Sequence, residues 1–183
     1  MTPSFAERYQ LIVYSDNYYL WSGLRHLIRE MGEPQLSIAW HNDLSSKSLF
    51  QLRETMLNDA SSRRWLVVTP DNRLREVQQI LPPENVCVIR DTLTLKQFAN
   101  HLRHPDFRRT IQKDAPLTRT EVSVCLLIIK GFSTMKIAEM MNKSPKTIYT
   151  HRRNAMVKFH CHTLAELHRK MHLMESRSLY LSS

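Results

Sequence analysis

Side chains that can donate hydrogen bonds to a polyanion are concentrated in residues 144–159. The segment reads SPKTIYTHRRNAMVKF, in which hydroxyl and cationic groups alternate with apolar positions. Guanidinium and ammonium groups match phosphate oxygens, and a guanidinium also fits the edge of guanine. The chemistry indicated is binding. We do not expect an enzyme, because no nucleophile and base stand in a recognisable arrangement and no metal signature accompanies them.

The apolar positions of this segment predict a helix with one inward face. Ile148, Ala155 and Phe159 recur at near-helical spacing, which leaves Tyr149, Thr150 and Arg153 on the other side. On a DNA duplex, these three side chains would face the major groove. Arg153 could then donate two hydrogen bonds to O6 and N7 of guanine, and Thr150 could meet a base edge or a thymine methyl. The alternative for Arg153 is an ordinary solvated charge.

A second set of residues in the segment is placed to meet phosphates. Phosphate contacts supply affinity and register without reading the sequence. The amide-rich helix start at Ser144 suits an anion in the same way. The predicted phosphate set is Ser144, Lys146, Thr147, Arg152 and Lys158.

Capping residues predict four helices in the last third of the chain. They begin after Thr118, Ser133, Ser144 and Thr163, and Gly131 ends the first of them. Glu stands three residues after both Thr118 and Thr163, which is capping-box spacing. The short connection between the second and third helices is typical of a helix-turn-helix.

The segment LTRTEVSVCLLIIKGFSTMKIAEMMNKSPKTIYTHRRNAMVKF resembles the LuxR/FixJ family of DNA-binding domains. The resemblance implies an all-α, four-helix domain that binds double-stranded DNA, generally as a dimer across two half-sites. His151 and Asn154 match family positions, and each is either a DNA contact or a structural residue. Family members often have Lys in place of Tyr149 and Arg in place of Thr120. The matching positions are Leu117, Thr118, Glu121, Gly131, Ser133, Ile137, Ala138, Ser144, Thr147, His151, Asn154 and Lys158.

The charge of the chain is divided unevenly. The net charge is +9, but residues 1–103 carry 12 Lys and Arg against 11 Asp and Glu, whereas residues 104–183 carry 14 against 6. This asymmetry favours a polyanion as the partner of the second part only. The N-terminus shows no export signal, and no apolar run would span a membrane, so we expect a cytoplasmic protein that associates with the nucleoid when bound to DNA.

Short apolar strands alternate with helical stretches in the first half. The strands fall at 11–14, 35–40, 65–69 and 86–90, and four β-α units of this kind predict a parallel sheet covered on both faces. The order of elements resembles a receiver domain of two-component response regulators. We therefore expect an α/β receiver-like domain at 1–103, a linker at 104–116 and the helix-turn-helix domain at 117–183.

The acidic residues that receivers use for phosphorylation are not matched here. Ser15 and Asp16 follow the first strand, where receivers carry an acidic pair. The strand WLVVT corresponds either to the fourth receiver strand or to the third, and Thr69 ends it in both alignments. Asp71 falls beyond that end and is expected to cap a helix. We therefore predict a degenerate receiver that is not controlled by Asp phosphorylation.

The fourth predicted helix carries an apolar edge made of Leu164, Leu167, Met171 and Met174. This edge could pair with a second copy or cover the domain's own core. Histidines and cysteines near this helix do not form a familiar metal site, so neither a metal nor a cofactor is expected. The residues concerned are His160, Cys161, His162, His168 and His172; Cys87, Cys125 and Cys161 are expected as reduced thiols.

Together these patterns predict a sequence-specific bacterial transcription regulator. It would bind promoter DNA through the helix at 144–159, either as a homodimer or with a partner response regulator. The second arrangement is found among similar auxiliary regulators of enteric bacteria, which have degenerate receiver-like domains. The alternative function is an interaction protein that sequesters another regulator without specific DNA contacts of its own.

Overall fold

A four-stranded parallel sheet forms the first part of the molecule. The computed structural model describes residues 9–32, 36–60, 63–107 and 115–176, apart from the side chains of residues 170 and 172–176. The strand order is β2-β1-β3-β4, and every neighbouring pair is parallel. The four predicted β-α units are confirmed. The strands are β1 (Tyr9–Tyr14), β2 (Ser37–His41), β3 (Arg64–Thr69) and β4 (Val86–Arg90).

Helices cover both faces of this sheet because successive strand residues point to opposite sides and both sides are apolar. Leu11 and Val13 face one side, with Leu24 and Phe98 from the helices packed against them. Ile12 and the residues that alternate with it face the other side. The first face carries α1 (Tyr18–Glu30) and α4 (Leu95–Arg103); the second carries α2 (Ser46–Asn58) and α3 (Leu74–Ile80), which a 3-10 turn at Asp71–Arg73 precedes.

The strand order decides which receiver strand WLVVT corresponds to. β3, which contains WLVVT, pairs directly with β1. In the receiver order 2-1-3-4-5, the strand in this place is the third. The carboxyl end of β3 therefore carries Thr69, whose side chain is fully buried and whose hydroxyl has no partner among the described residues. The expectation that Asp71 caps a helix is wrong. Pro70 takes the cap position of the 3-10 turn, and the exposed Asp71 lies 3.4 Å from Arg90.

Four helices follow the sheet, each near its predicted start. The capping box of the first is formed: Thr118 Oγ1 accepts from the Glu121 amide at 3.2 Å, and Glu121 Oε2 accepts from the Thr118 amide at 2.8 Å. Gly131, at φ 82°, ends that helix in the left-handed region. No helix in the described part of the chain is long and apolar enough to cross a membrane. The helices are α5 (Arg119–Ile129), α6 (Thr134–Met140), α7 (Pro145–Lys158) and α8 (Leu164–Ser176).

The sheet region and the helical region share one apolar cluster, which runs from the second sheet face through α2 and α3 into α5, α7 and α8. Polar contacts cross the same junction. The buried Arg53 of α2 donates to the carbonyl of Ile80, at the end of α3, and to the carbonyl of Leu117 at 3.0 Å. Ser46 donates to the Met171 carbonyl at 3.1 Å. Arg53 therefore links the two regions through otherwise buried carbonyl groups.

Replacing Arg53 by Met should weaken this junction. The apolar stem is retained, but two buried carbonyls lose a charged donor, which should lower the free energy of unfolding by about 2 to 3 kcal/mol. Urea unfolding followed by tryptophan fluorescence measures the effect. Arg63→Met is the matched control, because Arg63 bonds to Gln10 at the exposed surface. Equal unfolding midpoints for the two variants would show that Arg53 does not hold the junction.

Candidate nucleic-acid interface

The start of α7 is fixed by its cap. Ser144 Oγ accepts a hydrogen bond from the Thr147 amide at 3.1 Å, and the two hydroxyl oxygens lie 2.8 Å apart. Pro145 takes the first helical position, where its missing N–H costs no intrahelical bond. The Thr147 and Ile148 amides both bond to Ser144, so the Lys146 amide is the one left in the first turn for an anion. The anion contact predicted at Ser144 stays a prediction.

The buried face of α7 sets the direction of its outer face. Ile148, Ala155 and Phe159 are buried against the neighbouring helices, as their spacing predicts. One helix face is thereby left to solvent, and its residues recur at intervals of three and four. We call this face the outer stripe; its residues are Lys146, Tyr149, Thr150 and Arg153, all of which are exposed.

The cationic side chains of the outer stripe are available to a ligand. Among the described residues, neither Lys146 nor Arg153 has a side-chain hydrogen bond or ion pair. The Thr150 hydroxyl donates to the Lys146 carbonyl at 3.1 Å, so its methyl group and its oxygen lone pairs remain for other contacts. Arg153 can therefore present its full set of donors at the surface.

Arg152 and Tyr149 form a contact at the edge of the outer stripe. The Arg152 guanidinium carbon lies 4.9 Å from the centroid of the Tyr149 ring. Its Nη1 donates to Thr134 Oγ1 at 3.2 Å, which connects α7 to the first residue of α6. Arg152 is half-buried, whereas the Tyr149 side chain is 53% exposed.

The helix that precedes α7 packs beneath it. Ile137 and Ala138 of α6 are buried, but Met140, which its spacing directs inward, is 50% exposed. Asn142, at φ 50°, makes the tight turn between the two helices. Sequence reasoning missed Lys143, an exposed cation directly before the Ser144 cap. Its position directly before the helix start is the sequence feature that could have indicated a phosphate contact.

The structure gives Lys158 a different role from the predicted phosphate contact. Its Nζ lies 2.6 Å from Glu121 Oε2 and 2.9 Å from the Pro116 carbonyl oxygen, and its side chain is 19% exposed. Burial raises the pKa of the Glu121 carboxyl, but hydrogen bonds from Lys158 and Thr118, with the charge of Lys158, lower that pKa below its ordinary value. The ion pair therefore joins α5 to the end of α7.

Two further residues of α7 that match the LuxR/FixJ pattern differ in exposure. His151 is half-buried and Asn154 is exposed. Asn154 lies beside the outer stripe, where its amide could reach a base edge. The DNA contacts predicted for both residues stay predictions.

The apolar edge of α8 mostly covers the molecule's own core. Leu167 and Met171 are buried at 0% and 1% exposure, and the Met171 carbonyl accepts from Ser46 of α2. Leu164 is 37% exposed, and Met174 lies outside the described side chains. The sequence left two roles open for this edge, pairing with a second copy or covering the domain's own core. The burial of Leu167 and Met171 favours the second role for these two residues.

The histidines and cysteines do not form a metal site in the part of the chain that the structure describes, where no group of three or more metal-ligating side chains occurs. The His172 side chain lies outside that part. The three cysteines are buried. Burial raises the pKa of the Cys87 thiol to about 11 and that of the Cys125 thiol to about 12, so both are neutral at pH 7.

Two helices joined by a tight turn, with cations on the outer face of the second, define a helix-turn-helix domain. Residues 115–171 match the family described as GerE, bacterial regulatory proteins of the luxR family. This segment is therefore a LuxR-family helix-turn-helix domain, and the resemblance expected from the sequence is confirmed. A comparison with curated proteins finds no match.

Several solved structures are similar to the chain over nearly its whole length. A DNA complex of the two-component response regulator RcsB is 16% identical, covers 90% of this chain and 98% of its own, and gives a TM-score of 0.47. RcsB from Salmonella enterica serovar Typhimurium bound to the rprA promoter has the same identity and coverage and a TM-score of 0.45. Full-length FixJ from B. japonicum is 15% identical, with coverages of 93% and 98% and a TM-score of 0.37.

Glu121→Gln should destabilise the domain in a pH-dependent way. At pH 7 the variant leaves the Lys158 charge without its carboxylate, at a cost of about 3 kcal/mol. The Glu121 pKa is lowered by folding, so its contribution is full above the unfolded-state pKa and disappears as the pH falls through the folded-state pKa. Free energies of unfolding of the two proteins measured between pH 7 and 3 should therefore converge.

The matched control for this prediction is Glu139→Gln. Glu139 pairs with Lys136 at 2.9 Å, but both side chains are more than half exposed. The Glu139→Gln substitution should lower the free energy of unfolding by less than about 1 kcal/mol. A wild-type advantage over Glu121→Gln that is the same at pH 7 and pH 3 would contradict the role assigned to the ion pair.

Proposed function

We propose that this chain is a sequence-specific bacterial transcription regulator that binds promoter DNA through α7. The observation that carries the proposal is the outer stripe of a LuxR-family helix-turn-helix domain, whose cations have no partner among the residues that the structure describes. Arg153 donates to O6 and N7 of a guanine, and Thr150 offers its methyl group to a thymine or its oxygen to a base edge. Tyr149 and Asn154 reach the same groove.

Phosphate contacts surround this base-reading face. The Lys146 amide, next to the Ser144 cap, and the ammonium groups of Lys143 and Lys146 lie at the start of α7, where the helix dipole also favours an anion. Thr147 contributes from the same turn, although its hydroxyl already contacts Ser144. Lys158 is not part of the set, because its charge is paired with Glu121.

We infer that the regulator binds two half-sites as a dimer, either with itself or with a partner response regulator. Regulation enters through the receiver-like region at 1–103 and does not use Asp phosphorylation. The buried Thr69 at the carboxyl end of β3 supports this, since a receiver of the same strand order carries its phosphorylated Asp at that end. The linker at 104–116 joins this region to the DNA-binding domain at 117–183, and the protein acts in the cytoplasm.

Arg153→Ala tests the proposal. Purified protein is mixed with genomic DNA fragments at near-physiological salt, and the retained fragments are sequenced. Wild type should enrich a motif of two half-sites. The variant should lose about 1 to 3 kcal/mol of binding free energy from the contact with one base pair of each half-site. This loss should remove the enrichment of the motif. Lys96→Ala, which removes an exposed cation of the sheet region, should leave the motif unchanged.

A different outcome would favour the second function considered. Uniform retention of all fragments by wild type, unchanged in Arg153→Ala, is expected of an interaction protein that acts through another regulator. The same sequencing experiment with that regulator added would then show whether this chain removes it from its sites.

A further inference from the structure

We propose that Arg152 is a positioning residue that sets the direction of the Tyr149 ring toward one base pair. This inference rests on the proposed DNA binding by α7 and concerns how that helix obtains its specificity. It differs from the phosphate contact predicted for Arg152 from the sequence. The claim is that the guanidinium acts mainly through the ring that it contacts.

Arg152 is held from two sides in the folded protein. Its Nη1 donates to Thr134 Oγ1 at 3.2 Å, so α6 fixes one edge of the guanidinium. The guanidinium carbon lies 4.9 Å from the centroid of the Tyr149 ring, within the range of a cation–π contact. Because Arg152 is half-buried, solvent screens this contact less than it would at an open surface.

The ring that Arg152 contacts has little else to fix it. Tyr149 is 53% exposed, and its neighbours Lys146, Thr150 and Arg153 on the outer stripe are exposed as well. An exposed tyrosine samples several rotamers, and ordering it during binding reduces affinity. Residues three apart on a helix are neighbours, so Arg152 is placed to select one of these rotamers before DNA is bound.

The selected orientation keeps the ring at the edge of the outer stripe, beside Thr150 and Arg153. An apolar ring surface suits a thymine methyl, and the phenol hydroxyl can bond to a base edge. Tyr149 thus discriminates one base pair, and Arg152 makes this discrimination possible without contacting the base itself.

A double-mutant cycle in the full-length protein tests the inference. Wild type, Tyr149→Ala, Arg152→Met and the double variant are compared for their preference at each position of the half-site. Each single variant should reduce the preference at the same base pair by about fivefold to tenfold, and the double variant should lose no more. Arg152→Lys should behave like Arg152→Met, because an ammonium lacks the planar fork that bridges Thr134 and the ring.

The salt dependence of binding separates positioning from a phosphate contact. A lost phosphate contact reduces the salt slope by about one and weakens binding to all sequences equally. That result is expected for Lys146→Met. It would overturn the inference if it were also found for Arg152→Met, with preferences unchanged. Additive losses in the double variant, or losses at different base pairs, would overturn it equally.

Controls distinguish this inference from misfolding and from failure of the proposed function. Thermal unfolding of each variant checks the fold, and Thr134→Val should give a partial loss of preference at the same base pair, because it removes only the hydrogen bond to Arg152. Arg25→Met removes a similar cation–π contact in the sheet region, where the Arg25 guanidinium carbon lies 5.4 Å from the Trp21 ring, and should change no preference. Absence of any sequence preference in wild type would instead refute the proposed function.

Discussion

The ion pair between Glu121 and Lys158 is the constraint on which the helical region depends. Its carboxylate also closes the capping box at Thr118, and its ammonium also bonds to the Pro116 carbonyl. This one pair thus fixes the start of α5, the end of α7 and the segment at Pro116 that leads into α5. Because removing two charges from water is costly, a buried ion pair stabilises the folded state little more than two well-packed apolar side chains at the same positions would. We infer that its effect is to fix the angle of α7, and with it the direction of the outer stripe.

The same end of α7 joins the helical region to the sheet region. Gln79 of α3 donates to the Lys158 carbonyl at 2.7 Å, and Arg53 bonds to the Leu117 carbonyl close by. These junction contacts lie at the carboxyl end of α7, whereas the exposed Lys146 lies at its amino end and the exposed Arg153 lies just past its middle. The sheet region is therefore in contact with α7 without covering its outer stripe, so any signal that it transmits would act through the position of α7.

The sequence patterns predicted the elements well, because strand alternation and capping residues are local signals. They could not predict the partner of Lys158, which lies 37 residues away on another helix. A cation at a helix end is compatible with both a phosphate and a buried carboxylate. The apolar edge of α8 was ambiguous for a related reason: periodicity identifies a face that must be covered, but Leu167 and Met171 are covered by this chain itself. The third-strand place of WLVVT likewise needed the sheet order.

The internal contacts of α7 narrow the set of residues that can determine specificity. Ser144 and Thr147 use their hydroxyls in the cap, Thr150 donates to the Lys146 carbonyl, and Lys158 is paired inside the domain. Groups already engaged in the free protein have fewer donors left for DNA. Of the charged groups predicted to meet DNA, Arg153 and Lys146 have no donor engaged by another side chain or carbonyl within the described part of the chain. A bidentate guanidinium can distinguish bases, whereas a single ammonium is better suited to phosphate. Under the proposed function, sequence reading should therefore depend chiefly on Arg153 and its immediate neighbours.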